Sequence, residues 1–358
     1  MKKILFSLVA MAMMLVSCQN EAWNICGFDK GVDVVLKVTS PSMEVTRAEA
    51  SGLDSGVGAI DNFDNNAHLW DKYDLRYILE VYAVTEEKND FVVSEKPIYR
   101  DVFTTPSYSA DGLDLELRLV PNRYYKFVVW ADFVDEGTKS DLYYNTASLR
   151  KISRTEKFKH VAMDEAADAY YISHRELIKN SGDLELELTR PFAKLRVVAI
   201  DHHEISRYST LERVEVKFDT KKNPVSEIFN AVDNPLVDSP ENNCDAHNYV
   251  CDVNPVPYVE YSGTTDEGEA VKGFVLFSDY ILAPRSGEQP VSFTMDIYDQ
   301  KGKVRTVDFD TQIPTCRNHL TTVVGYCLTS KHTTIVSIND TLLSGDDFIL
   351  DADEVSNK

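Results

Sequence analysis

The chain is short of positive charge: among 358 residues, 37 lysines and arginines face 58 aspartates and glutamates, giving a formal net charge of −21. Such a surface repels nucleic acid and anionic lipid headgroups, so neither is an expected partner. Signatures of catalysis are missing too. There is no Gly-x-Ser-x-Gly elbow, no Gly-rich phosphate loop and no His-Glu-x-x-His, and the chain therefore reads as non-enzymatic and without a cofactor. Beyond the N-terminal leader, no apolar run is long enough to cross a bilayer as a helix. The body is expected to be water-soluble.

That leader is the most specific local signal. Lys2 and Lys3 precede an apolar core from Ile4 to Val16, which ends in Leu15-Val16-Ser17-Cys18. A core of this length suits a secretory signal rather than a membrane span. The final four residues resemble the lipobox of bacterial lipoproteins, which implies removal of residues 1–17 and acylation of Cys18. Two or three acyl chains anchor stably where one is marginal, so the mature protein is expected on the outer membrane, with residues 18–31 as a tether. Loss of Lys2 and Lys3 makes the mature charge two units more negative.

Six cysteines in an exported chain raise the question of disulfides. With Cys18 committed to lipid, Cys244 and Cys251 are a candidate pair closing an Asn/Asp-rich loop. Cys316 and Cys327 could pair only if the chain turns back between them. No metal site is convincing. In Asp201-His202-His203-Glu204 neighbouring strand residues point to opposite faces, so the stretch reads as a polar turn. Cys244-x-x-His247-x-x-x-Cys251 is half a zinc site at best, and Asp61 to Asn66 lacks the ligand spacing of a calcium loop.

Period-two alternation runs through most of the remaining sequence. Val32 to Val38 supplies a first strand, ended by Ser40-Pro41-Ser42; a Gly/Ser/Asp/Asn-rich loop, Ser51 to Asn66, then leads to a strand from Leu75 to Thr85. Leu113, Leu115, Leu117 and Leu119 alternate with charged residues, and Val120-Pro121-Asn122 turns the chain into a strand from Tyr124 to Phe133, which predicts an antiparallel hairpin. Leu142 to Lys179 reads as an excursion over the end of a sandwich, with short helices at Met163 to Ala169 and Ser173 to Lys179. After Leu184 to Thr189 the pattern restarts at Phe192 and continues to Ile338. The expected fold is mainly β: two tandem antiparallel β-sandwich domains, residues 32–189 with the helical excursion and residues 190–358 with an acidic tail.

Several motifs occur in a telling order: the lipobox, Val45-Thr46-Arg47-Ala48 after the first strand, Pro121-Asn122-Arg123-Tyr124-Tyr125-Lys126-Phe127 running into Val129-Trp130-Ala131-Asp132, Leu188-Thr189-Arg190-Pro191-Phe192-Ala193-Lys194-Leu195, and Arg317-Asn318-His319-Leu320 before the last strands. Together they resemble the fimbrillin superfamily of Bacteroidota, the subunits and accessory proteins of type V pili. The resemblance implies transthyretin-like sandwiches, lipoprotein export and display at the cell surface or in a fimbrium. It also implies proteolysis at Arg47-Ala48, removal of the Val32 to Val38 strand, and occupation of the vacated groove by a strand from another subunit.

The expected partners are therefore other pilus subunits or surface proteins joined by strand addition, a host or glycan ligand, and the outer membrane through the lipid. A tip, anchor or accessory role is expected over a stalk role, because the acidic tail Asp346 to Lys358 has only Phe348-Ile349-Leu350 as a donor strand. The rival expectation is a surface glycan-binding lipoprotein of a nutrient-uptake system. It would use Tyr143, Tyr144, Tyr170, Tyr171, Tyr249, Tyr258 and Tyr261 in the loops, which otherwise cover the sandwich ends.

Overall fold

A computed structural model describes residues 31–39, 72–88, 90–105, 112–205, 210–233, 249–264, 270–284, 288–329, 334–339 and 347–350. The fold is mainly β, with most neighbouring strands antiparallel; a small sheet joins β13 (Ile228–Phe229), β8 (Ile152–Arg154) and β7 (Tyr144–Asn145). In the N-terminal half a three-stranded sheet has the order β10 (Gly182–Glu187), β1 (Val32–Thr39), β5 (Leu113–Leu119). A five-stranded sheet combines β3 (Asp90–Val93), β2 (Tyr73–Glu87), β6 (Arg123–Asp135) and β9 (Ala169–Ile178), with β4 (Tyr99–Thr105) also paired to β2. Val34, Leu36, Leu115, Leu117 and Leu186 of the first sheet share one buried cluster with Leu75, Leu79, Phe127 and Val129 of the second. Alternation of apolar and charged residues along β1, β5 and β10 puts the apolar side inward.

A second cluster lies between a four-stranded sheet and a six-stranded one. The first is β14 (Tyr249–Val253), β12 (Leu211–Phe218), β17 (Gln289–Asp299), β18 (Gly302–Thr315). The second is β15 (Val259–Thr264), β16 (Ala270–Leu282), β11 (Phe192–Ala199), β19 (Leu320–Gly325), β20 (Thr334–Asn339), β21 (Asp347–Leu350). The turn expected at Asp299 to Gly302 is present. Asp299 pairs with Gly302 across it, and the Lys301 N–H donates to Asp299 Oδ1 at 2.7 Å. The Phe348-Ile349-Leu350 segment is a strand, and it pairs antiparallel with β20 of its own chain.

Three local expectations change. β5 and β6 do not form a hairpin, because they lie in different sheets. A two-residue hairpin turn of the common type needs positive φ at both central residues, whereas only Asn122 is left-handed here, at φ 59°. Its N–H donates to Ile178 O at 2.6 Å, and Tyr125 Oη bonds the backbone of Val120 at 3.1 Å, so the Pro121-Asn122 corner carries the chain from one sheet to the other. Ser173 to Ile178 is strand rather than helix; it belongs to β9, which pairs with Arg123 to Asp132 of β6, where sheet pairing overrides a weak helical pattern. Helix in this stretch is limited to a 3-10 turn at Glu165–Ala167.

The excursion also lies elsewhere than expected. Arg76, Glu80 and Tyr82, on the side of β2 opposite Leu75 and Leu79, are all about as buried as the core. Arg76 makes a two-pronged pair with Asp132 at 2.7 and 2.9 Å and also reaches Asp141 at 2.8 Å, while Arg100 pairs with Glu80 and donates to Thr146 O at 2.8 Å. Residues 139–146 thus cover the outer face of the five-stranded sheet. Its charged residues can be buried there only because each finds a partner.

On the outer face of β12, β17 and β18 the charges form a ladder. Lys217 Nζ bridges Glu215 at 2.5 Å and Asp296 at 3.0 Å, and Lys303 Nζ meets Asp296 at 2.9 Å. Partial burial pushes the Asp296 carboxyl up, but hydrogen bonds from Thr306, Lys303 and Lys217 outweigh it and hold the group at about 2, below its ordinary 3.8. A depressed carboxylate contributes stability that is complete above its unfolded value and is lost as pH falls through its folded one. Asp296→Asn is therefore expected to lower the urea midpoint at pH 6, with the deficit shrinking between pH 4 and pH 2. A deficit that stays constant across that range would rule out the ionised group as its source.

β1 is the strand on which the three-stranded sheet depends, since it pairs with both neighbours and buries Val34, Leu36 and Val38. Leu36→Ala is expected to cost about 2–5 kcal/mol. Urea unfolding followed by tryptophan fluorescence measures it, and a loss below about 1 kcal/mol would show that β1 is peripheral.

Candidate functional site

The residues put forward from the sequence divide by position. Cys18, Arg47, Ala48 and Cys244 lie outside the described residues. Cys251 is buried on β14 with Sγ 3.1 Å from Asp279 Oδ2. Among the described residues no group of three or more His, Cys, Asp or Glu side chains could hold a metal ion. Asp201 is fully buried and accepts the backbone N–H of Leu328 at 3.0 Å and of Thr329 at 2.6 Å, so it fastens the turn after β19. His202 opens a single helical turn, His202–Ile205, and packs on Phe274 with ring centroids 4.0 Å apart.

The loop tyrosines are mostly core. Tyr143, Tyr144, Tyr170, Tyr171 and Tyr261 are all buried, whereas Tyr258 is 49% exposed. Tyr144, Tyr170 and Tyr171 pack at the junction of the two halves: Tyr144 stacks on Phe192, Tyr171 meets Phe229 edge-on, Tyr170 lies under Arg190, and Trp130 contacts both Tyr144 and Phe229, while Tyr143 packs on Phe158. Sequence reasoning missed this because tyrosine at high density between strands looks the same whether it faces solvent or a second sheet.

Buried charge completes that junction. Asp168 accepts from Arg190 Nε at 2.8 Å and Tyr170 Oη at 2.8 Å; Glu165 accepts from Lys194 Nζ at 2.7 Å and Tyr280 Oη at 3.0 Å. Arg317, from before β19, donates to Ala283 O at 2.8 Å and to Tyr171 Oη. Arg190, Phe192, Lys194, Trp130 and Arg317 are motif residues in the sequence, and here they act as the fastening between the halves. A cleft beside them is floored by Trp130, Tyr144, Phe192 and Phe229, with the Lys159–Glu227 ion pair at its mouth.

The site with the clearest functional geometry is the seat of β1. Parallel pairing with β10 runs from Val34 opposite Gly182 to Thr39 opposite Glu187, and antiparallel pairing with β5 runs from Val32 opposite Leu119 to Val38 opposite Leu113. Val34, Leu36 and Val38 are 2, 0 and 0% exposed. Gly112 sets the close approach at the far end: its φ is +77°, and a Cβ there would lie 2.1 Å from Val38 O. In sequence β1 is followed by residues 40–71, which contain Arg47-Ala48 and lie outside the described residues. Taking β1 away would leave β5 and β10 with facing unpaired edges and three empty side-chain positions between them.

Residues 27–352 match the model of a protein family described as a family of unknown function, DUF6562. No curated protein matches the sequence. Similar solved structures include a proposed adhesin of Bacteroides thetaiotaomicron, at 12% identity and TM-score 0.44 over 90% of this chain and 98% of that one. They also include a proposed polysaccharide-binding protein (DUF1812) of the same organism, at 11% and 0.44 over 91% and 100%. A third is the tip fimbrial protein Mfa3 of Porphyromonas gingivalis with C-terminal truncation, at 10% and 0.42 over 87% and 100%.

The junction gives its own expectation. Asp168→Ala leaves Arg190 buried without its counter-ion and is expected to cost about 3–5 kcal/mol, whereas replacing both with apolar residues of similar volume costs much less. Chemical unfolding of the single and double variants checks this. Equal losses in the two would mean that packing, not the unpaired charge, sets the cost.

Proposed function

The chain belongs to the DUF6562 family, a family of unknown function, and from its own structure we propose that it is a fimbrillin-like component of the cell surface, structural or adhesive and non-enzymatic, that assembles by strand exchange. The observation that carries this is the placement of β1. It is central, fully seated and built with three inward apolar side chains, yet it is the first strand among the described residues and is followed in sequence by Arg47-Ala48. A cut at Arg47-Ala48 would separate it from the body without severing any of the described strands.

Sheet augmentation supplies the chemistry. Unpaired backbone groups on β5 and β10 are costly when left unsatisfied, and an incoming alternating strand answers both edges while filling the vacated positions with its own apolar side chains. Cys18 would carry the lipid that holds the precursor at the outer membrane, and cleavage after Arg47 would free the body from it. Fimbrial and adhesin names are shared by several of the similar solved structures, at a likeness too distant to bear weight.

Top-down mass spectrometry of the protein from membrane and from surface-sheared fractions tests the proposal. The sheared, assembled fraction is expected to begin at Ala48 and the membrane fraction at acylated Cys18. Retention of residues 18–47 in every fraction, assembled material included, would rule out assembly through the β1 groove.

A further inference from the structure

The outward side of the β10-β1-β5 sheet carries an ordered set of charges. Asp33 stands opposite Arg118 of β5 and is 3.1 Å from its guanidinium. At the other end Lys37 stands between Asp114 of β5 and Glu185 of β10, with Nζ 2.7 Å from Asp183. Val35, between them, has Glu116 on one side and Asp183 on the other, and Thr39 lies beside Glu187. The two flanking strands thus present one cation, Arg118, near the start of β1 and five exposed carboxylates along the rest: Asp114, Glu116, Asp183, Glu185 and Glu187. The resident strand answers them with an acid first and a base four residues later.

We propose that the groove selects its occupant by charge, accepting an alternating apolar strand that is acidic at its first outward position and basic at the later ones, and rejecting an acidic strand. The inference rests on the strand-exchange reading above and adds which strand is taken. Each exposed pair is weak alone, so the three inward side chains hold the strand and the charges discriminate among strands. Like charges set directly across neighbouring strands repel, and here a wrong strand meets several at once.

The rule has a consequence for this chain's own tail. Phe348-Ile349-Leu350 is flanked by Asp346, Asp347, Asp351, Asp353 and Glu354, so a second copy would bring acid to the carboxylate-lined part of the groove. The partner strand therefore comes from a different chain with basic outward residues, not from self-polymerisation.

The test uses the full mature chain with a site-specific protease sequence inserted after Ala48, cut, unfolded and refolded in excess labelled peptide. Three peptides are compared: residues 31–40 as they stand, the same peptide with Asp33→Lys and Lys37→Asp, and residues 345–355. Occupancy of the groove is read by native mass spectrometry and fluorescence anisotropy at 0.05 M and 1 M salt. The unaltered peptide is expected to bind at least about tenfold more tightly than either of the others at low salt, with the gap closing at high salt. Equal binding of the unaltered and charge-swapped peptides, or tight binding of the tail peptide, would overturn charge selection while leaving strand exchange intact. Failure of all three to replace the resident strand would remove the strand-exchange reading, and this inference with it.

Discussion

A strand in the middle of a sheet must satisfy backbone donors and acceptors on both edges and find cover for one face, and β1 meets all three demands with its eight residues. Much of the N-terminal half is organised around it. β5 and β10 are far apart in sequence and do not pair with each other; they share a sheet because β1 lies between them. Gly112 has no side chain where the β1 backbone passes Val38, and the Leu188 N–H closes on Thr39 O at 2.9 Å, so the C-terminal end of the seat is shaped to the strand from both sides. That arrangement makes β1 necessary to the sheet.

The second constraint is the buried charge at the junction. Arg190 with Asp168, Lys194 with Glu165, and Arg317 with Tyr171 and Ala283 join residues from both halves of the sequence. Such pairs add little net stability over apolar packing, yet they strongly penalise any arrangement that separates them. The aromatic cluster of Trp130, Tyr144, Phe192 and Phe229 fills the space alongside. Packing and charge therefore fix how the two pairs of sheets meet.

An acidic chain has few cations to place, which makes their positions informative. Lys37 is nearly surrounded by carboxylates, and the hydrogen bond and charge of Asp183 hold its ammonium above the ordinary value. Lys217 and Lys303 occupy comparable positions around Asp296 on the other half. On the exposed sheet faces the cations bridge strands, while in the junction and under residues 139–146 arginines and Lys194 neutralise buried acids.

Alternation in the sequence was enough to locate most strands: β1, β5, β10 and β12 follow period-two runs because a half-buried strand writes its burial into every second residue, and β2, β6, β11 and the β17–β18 hairpin follow apolar runs although β2, β6 and β11 are buried on both faces. Strand positions were legible because that signal is local and contiguous. Pairing was not. Nothing local says that β1 runs parallel to β10 and antiparallel to β5, or that the Pro121-Asn122 turn changes sheets, since partners far apart in sequence are chosen by the packing of the whole half. Nor could local pattern tell that Arg76, Glu80, Tyr143 and Tyr171 are buried, because a charged or tyrosine side chain reads as solvent-facing until tertiary structure supplies its partner. The sequence by itself determined the β class and most strand positions; only the tertiary structure decided which strand sits in the middle, which charges line its seat and how the halves are fastened, because those depend on contacts that exist only after distant segments come together.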